Sequence, residues 1–531
     1  MSQNNRKISL FSLTMLALSS LIGSGWLFGS WQAAKVAGPA AILSWIIGGI
    51  VIGSIAYSYI ELGTMFPEAG GMSKYAQYSH GPLLGFIAAW SNWISLIAII
   101  PIEAVAAVQY MSSWPWSWAK WTHGFLSQGT VTTSGLMVVF VFIIVFMLLN
   151  YWSVKVLTSF TNLTSVFKMV VPLLTIICLL ASGFHSQNYG SSWHSFMPYG
   201  SAPVFAATTV AGIIFSYDAF QIVINMASEL KNPKKNIFRG MVISLVICGV
   251  VYILLQNTYI ASVPVSLVQK SGWSGINFNS PFAQLASLIG LNWLAILLYV
   301  EAFISPFGTG VSFTASSSRV LYAMEGNHHI PKFIGQINPK YNIPRAALVT
   351  DTVISIIMVT VFRSWSVLAS VISTSTLVAY LTGPVTAISL RKMAPNFIRP
   401  VKLRFLKFMA PTSFVLASLA IYWAMWPTTV EVILIILLGL LFYIYYEIKQ
   451  NRTDIKKDLK ASWWLIVYLL FMSVMSYLGS SQFKGRNVFS YPMDFVIIIV
   501  ISLGFYFWGI HTNFISLYFK QGKKINSSLK K

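Results

Sequence analysis

Charged residues are scarce in this sequence: 9% of 531 residues, where a soluble domain carries about 25%. Leu, Ile, Val, Phe and Trp take their place in long uninterrupted runs, and no polar segment is long enough to fold by itself in water. A string of soluble domains is therefore excluded, and one membrane domain surrounded by lipid remains. Cysteine is nearly absent. Cys178 and Cys248 each sit in an apolar run without a partner at metal-ligand or redox spacing, which excludes a disulfide framework and a zinc site. Both read as small buried hydrophobes. There is no Walker A glycine loop, so ATP-driven pumping has no support. No histidine–carboxylate or nucleophile–base constellation marks a membrane enzyme, and neither a cofactor nor a metal is expected. Acids number 13 against 35 Lys and Arg, a net charge of +22. The bases nevertheless lie in short clusters between apolar runs, with no basic domain or arm. The positive-inside rule explains that distribution, and a nucleic-acid partner does not.

The apolar runs themselves define the architecture. A helix crossing a bilayer needs about 20 mostly apolar residues. By that measure the chain is an all-α polytopic membrane protein with about fourteen transmembrane helices, near 8–35, 40–65, 83–110, 133–151, 157–182, 203–228, 240–262, 289–322, 347–362, 367–390, 410–426, 430–447, 463–480 and 491–512. With the N-terminus inside, 28 of the 35 basic residues fall on cytoplasmic segments and six outside (Lys35, Lys120, Lys270, Arg363, Lys484, Arg486), with Lys168 in a span. Both termini are thus expected in the cytoplasm of a multi-pass protein of the cell membrane. Arg6 and Lys7 before an apolar stretch mimic a signal peptide, but the stretch is too long and no cleavage is expected. The Trp114-Pro115-Trp116-Ser117-Trp118 stretch reads as an outer interfacial belt, and His328 and His329 as solvated residues of a cytoplasmic loop.

Two spans, the first and the sixth, are broken in corresponding places, the sequence pointer to a transporter's binding site. The first contains Ile22-Gly23-Ser24-Gly25. Glycines around a serine near mid-membrane favour local unwinding. The amides freed at the second half-helix suit a carboxylate, and the freed carbonyls suit an ammonium. Helix packing is the alternative, since Gly25 and Gly29 form a GxxxG pair. The sixth contains Phe215-Ser216-Tyr217-Asp218, with Asp218 roughly 22 Å from the outer end at 1.5 Å per residue. An acid at that depth costs about 2.5–3.5 kcal/mol on insertion scales, which makes it a functional candidate; a helix–helix hydrogen bond is the alternative. Lys168 lies roughly 18 Å along the fifth span, too deep to snorkel, facing a cavity, a structural ion pair or, in a misplaced span, the interface. Glu301, mid-depth in the eighth span, is a second candidate, while Glu103 is expected near the outer end of the third, at a vestibule or interface.

Ile22-Gly23-Ser24-Gly25 with Ala37-Gly38-Pro39-Ala40 resembles the start of amino acid–polyamine–organocation transporters. So do Glu61-Leu62-Gly63-Thr64-Met65-Phe66-Pro67-Glu68-Ala69-Gly70-Gly71, Phe215 to Phe220 with Glu229-Leu230-Lys231-Asn232-Pro233, and Ser318-Arg319-Val320-Leu321-Tyr322-Ala323-Met324 with Ile330-Pro331. The resemblance covers most of residues 8–390. It implies a 5+5 inverted-repeat transport core over 1–390 with broken helices 1 and 6, and additional helices and a basic tail over 391–531. It implies that Ile22, Ser24 and Gly25 hold an amino acid's backbone groups and that Phe215 is an aromatic gate. Gly23, Ser216 and Asp218 complete the expected substrate-binding set. Lys168, with Glu301, is the expected proton-coupling site, standing where proton-coupled members replace a sodium ion. The lysine is expected close to the carbonyls near Ile22 and to hydroxyls such as Ser312 or Ser316. Ala219 departs from the glycine many members have. Gly23 to Gly29 and the span count look most like bacterial aspartate–proton symporters, implying uptake of L-aspartate or L-glutamate with a proton. An exchanger, or a proton symporter for neutral or cationic amino acids, is the alternative, and a non-transporting sensor the remote one.

Overall fold

The computed structural model describes residues 8–68, 71–152, 154–218, 220–326, 329–338, 341, 343–449, 455–527 and 529. Arg6, Lys7, Ala69, Gly70, Ala219 and His328, singled out above, lie outside these. Among the described residues the chain is all-α apart from one two-stranded antiparallel ribbon, β1 (Leu126–Ser127) with β2 (Thr130–Val131). The first half holds α1 (Leu10–Leu21), α2 (Gly25–Ala37), α3 (Ala41–Met65), α4 (Gly71–His80), α5 (Pro82–Met111), α6 (Thr133–Tyr151) and α7 (Val154–Ser182). Then come α8 (Trp193–Phe196), α9 (Ala202–Val210), α10 (Ile213–Ser216), α11 (Phe220–Asn225), α12 (Pro233–Ser262), α13 (Val265–Gly275) and α14 (Pro281–Leu288). The remainder is α15 (Asn292–Gly326), α16 (Arg345–Val361), α17 (Trp365–Met393), α18 (Leu406–Tyr422), α19 (Thr428–Lys449), α20 (Ile455–Leu478), α21 (Met493–His511) and α22 (Leu517–Ser527).

Each of the fourteen apolar segments carries helix. Among the described residues, nine helices are long and apolar enough to cross a membrane by those criteria alone, ten if the bent α9–α11 stretch is one span. α1, α18 and the 167–182 part of α7 are apolar but shorter. The first span breaks between α1 and α2, and the sixth bends by 49° between α9 and the α10–α11 stretch.

Burial sorts the helices into centre and rim. α5 and α17 are buried on nearly every face, as helices apolar all round should be. Prolines inside them leave the carbonyl four residues earlier without its helical donor. Pro101 thereby frees the Ile97 carbonyl, which accepts from the Ser355 hydroxyl at 3.4 Å. Pro384 frees the Tyr380 carbonyl, which accepts from the Tyr59 hydroxyl at 3.4 Å. Both bonds tie a central helix to a neighbour, α16 in one case and α3 in the other.

His329 corrects its expected place. It is buried, edge-on to Phe86 at 5.4 Å between ring centres, with Nε2 4.0 Å from the Glu447 carboxylate. Its ring also packs on Tyr443 of α19 at 5.4 Å, so a residue from a polar stretch ends on packed aromatics.

Candidate functional site

The break in the first span is a local accounting problem solved by other helices. α1 stops at Leu21, Ile22 leaves helical geometry (φ −87°, ψ 81°), and α2 restarts at Gly25. Unwinding strips carbonyls and amides of helical partners, and lipid supplies none. Three carbonyls at the break find donors from three different helices. The Ser19 carbonyl accepts from Lys168 Nζ on α7 at 3.1 Å, the Leu21 carbonyl from the Tyr252 hydroxyl on α12 at 2.6 Å, and the Ile22 carbonyl from the Ser305 hydroxyl on α15 at 3.3 Å. The Ser24 N–H donates to both oxygens of the Glu103 carboxylate, at 3.2 and 3.1 Å. Among the described residues no acceptor meets the next two amides, of Gly25 and Trp26.

Glu103 therefore does not occupy a vestibule. It is fully buried on α5, directly across from Gly23, where an added Cβ would lie 2.8 Å from its Oε1. The residue escaped the sequence reading because distance from the helix end was taken as the guide. The signal that would have found it is that α5 is apolar all round and hence central.

Lys168 and Glu301 flank the same place. Lys168 is buried and donates to Thr309 Oγ1 on α15 at 2.6 Å as well as to the Ser19 carbonyl, so its ammonium bridges the broken first span and the eighth. The hydroxyl partner is thus Thr309; Ser312 and Ser316 instead bond carbonyls of their own helix, Gly308 and Ser312. Glu301 is fully buried and within electrostatic reach of Lys168. Two buried carboxylates thus face one ammonium.

The sixth-span break comes next to it. Gly212 takes a left-handed conformation (φ 75°) that only glycine adopts freely, and its Cα faces Trp365 closely. Ser216 donates back to the Gly212 carbonyl at 2.8 Å and lies where a Gly25 Cβ would be, so the two breaks touch. Gly29 lies as close to Trp45, so the packing reading of the pair also has an observation behind it. Asp218 accepts from the hydroxyls of Thr376 (2.7 Å), Ser95 (3.3 Å) and Tyr380. Its carboxylate is thus part of a hydroxyl cluster between α5 and α17, the arrangement of a helix–helix hydrogen bond. Phe215 packs edge-on to Trp365 at 6.2 Å, and the Trp365 indole N–H donates to the Ser24 hydroxyl at 3.0 Å. One aromatic pair thereby covers both breaks from the α17 side.

Gly23, Glu103, Phe215, Asp218 and Thr309 line one cavity of about 10 Å³, room for a single water. Ile22, Ser24, Gly25, Ser216, Lys168 and Glu301 belong to the wall behind it through the bonds and contacts given above. The arrangement offers two amides and a set of hydroxyls to a small zwitterion, beside a lysine and two acids able to exchange a proton.

A family model described as amino acid permease matches residues 8–434. The chain is 49% identical to the glutamate/serine transporter AimA of Bacillus subtilis (strain 168) over 529 residues, 100% of this chain and 98% of that protein. It is 33% identical to an aspartate-proton symporter of the same organism over 513 residues, 96% of each. A branched-chain amino acid permease, BcaP, also of Bacillus subtilis, is 24% identical over 473 residues, 85% of this chain and 94% of that protein.

Proposed function

The chain belongs to the amino acid permease family, and on that premise we propose that this amino acid transporter takes up L-aspartate and L-glutamate together with a proton. The observation that carries the coupling is the Lys168 ammonium held between the Ser19 carbonyl and Thr309. A positive charge there ties α1 to α15; loss of its proton removes the tie. Substrate and proton are then linked, because each favours the same closed arrangement of the breaks. The substrate carboxylate goes to the Gly25 and Trp26 amides, the dipole end of α2. Phe215 and Trp365 close over it. Glu103 and Glu301 hand the proton to and from the lysine. An acidic side chain gains from Lys168 and is opposed by the two acids unless one carries a proton, which makes proton and acidic substrate mutually dependent.

The names of two relatives, a glutamate/serine transporter and an aspartate-proton symporter, support the acidic substrate. The first also favours a second reading in which L-serine shares the site. Residues 1–390 form the transport core in this reading, 391–531 the added helices and tail, in a cell membrane with both termini cytoplasmic. The test is uptake of labelled amino acids into proteoliposomes with an imposed pH gradient and no sodium, competed by each of the twenty amino acids. Aspartate and glutamate should compete best and collapse of the gradient should stop accumulation. Sodium dependence, or strongest competition by arginine or a bulky neutral amino acid, overturns the reading.

A further inference from the structure

A groove of about 500 Å³ runs between α3 and α12 on the outside of the bundle, away from the cavity at the breaks. Its rim carries exposed apolar side chains, among them Ile50 on α3 and Val246 on α12, as a surface bathed in acyl chains does. Missing side chains open it. A Cβ on Gly53 would meet nothing within 4 Å, and one on Gly49 or Gly249 would come only to 3.5 Å from the Tyr217 hydroxyl. Tyr217 forms the floor, buried and packed against Trp45 and Tyr252. It is the neighbour of Asp218 in the sixth-span break, so the groove reaches from the lipid face to the segment that must move.

Charge identifies what would enter. Along α12 the groove side runs through Phe238, Val242 and Val246, four residues apart and so on one face. One turn earlier on that face stand Lys234 and Lys235, both exposed, with exposed Arg239 beside them and Lys231 just before the helix. Residues 227–239 contain one acid, Glu229, against these four bases. The distribution of Lys and Arg puts this end at the cytoplasmic surface, where anionic headgroups concentrate.

We propose that the groove holds an acyl chain of an anionic phospholipid of the inner leaflet, its headgroup on Lys234 and Lys235, and that its occupation steadies the sixth-span break through Tyr217. The glycines admit the chain and the lysines select the charge.

Native mass spectrometry of the full chain in detergent, titrated with phosphatidylglycerol or with phosphatidylcholine of the same acyl chains, tests it. Phosphatidylglycerol should bind first, with about thirtyfold preference from two lysines near the surface. Lys234→Gln with Lys235→Gln should bring the two lipids level without loss of folded protein, both positions being exposed. Gly53→Leu should abolish the first adduct of either lipid. Hydrogen exchange across residues 211–218 should slow with phosphatidylglycerol in the wild type and not in Gly53→Leu. A wild type indifferent to headgroup, a Gly53→Leu chain that binds like the wild type, or exchange at the break unmoved by lipid overturns the proposal. Dimers that dissociate in Gly53→Leu with no lipid bound would assign the groove to a second copy, and overturn it too.

Discussion

At Gly25 the space a side chain would need is already held by Ser216. Gly25→Val should therefore push the breaks apart and cut substrate binding at least tenfold in a scintillation-proximity assay, while the protein still purifies folded. Binding at wild-type strength would leave the glycine a packing residue only. Lys168→Met keeps the stem and removes the ammonium that ties α1 to α15. It should exchange internal for external substrate yet fail to accumulate it against a gradient; accumulation by the variant would remove the lysine from the coupling step. Outside the spans, His80 is fully buried, with Nε2 donating to the Gly509 carbonyl at 2.8 Å and Nδ1 bonded to the Ser79 hydroxyl at 2.7 Å. Burial, partly offset by the carbonyl, depresses its pKa to about 4. Between about pH 6.5 and 4 the unfolded chain binds a proton that the folded one refuses. The stability is thus present above about 6.5 and lost as pH falls, by at most about 1.4 kcal/mol per pH unit. His80→Asn should flatten that part of the melting-temperature curve, and parallel curves would refute the assignment. Among single residues, Lys168, Asp218 and Glu103 all stand out in the sequence as charges inside apolar runs. The place of Glu103 did not follow from its depth in the span, because what fixes it is the Ser24 amide arriving from 79 residues earlier in the chain.

Helix breaks were the most legible elements. Gly23-Ser24-Gly25 disrupts a helix through backbone chemistry that needs no tertiary context, and α1 and α2 part there, while the sixth span parts at Gly212, a residue the sequence reading had not marked. What satisfies the breaks was not legible, since Tyr252, Ser305 and Lys168 converge from three distant helices. The span count shows the opposite limit: apolarity marks each segment, but among the described residues length and composition alone license nine or ten crossings, because α1, α18 and the 167–182 part of α7 are apolar but short. Closure at the element scale rests on α17, whose first residue, Trp365, bonds Ser24 and packs on Phe215. Phe215→Ala removes that lid contact without touching the amides. It should shorten the residence of bound substrate severalfold, measured as faster dissociation on dilution, with folding intact; an unchanged dissociation rate would take the gate away from Phe215.

Across the whole molecule, residues before and after 390 are bonded to one another. The Thr209 hydroxyl on α9 donates to the Ala420 carbonyl on α18 at 2.8 Å, His80 reaches α21, and Glu61 on α3 pairs with Arg391 and Arg399. That ion pair crosses the very boundary at residue 390 that the resemblance implied for the core. Removing the carboxylate leaves two half-buried guanidiniums with only backbone carbonyls as acceptors, a loss of about 1.5–3 kcal/mol for a hydrogen-bonded charged group. Glu61→Gln should accordingly lower the melting temperature of purified protein by several degrees, and a chain ending at 390 should not purify as a folded species. A stable, monodisperse 1–390 fragment would restore the boundary. The cavity between the breaks bears on the cell as well as on the substrate. With room for a single water, and its lining hydroxyls Ser20 and Thr309 already engaged by the Leu16 carbonyl and by Lys168, it offers no file of molecules along which protons or small ions could hop. Vesicles containing the protein, without amino acid, should then hold an imposed pH difference as long as protein-free ones do.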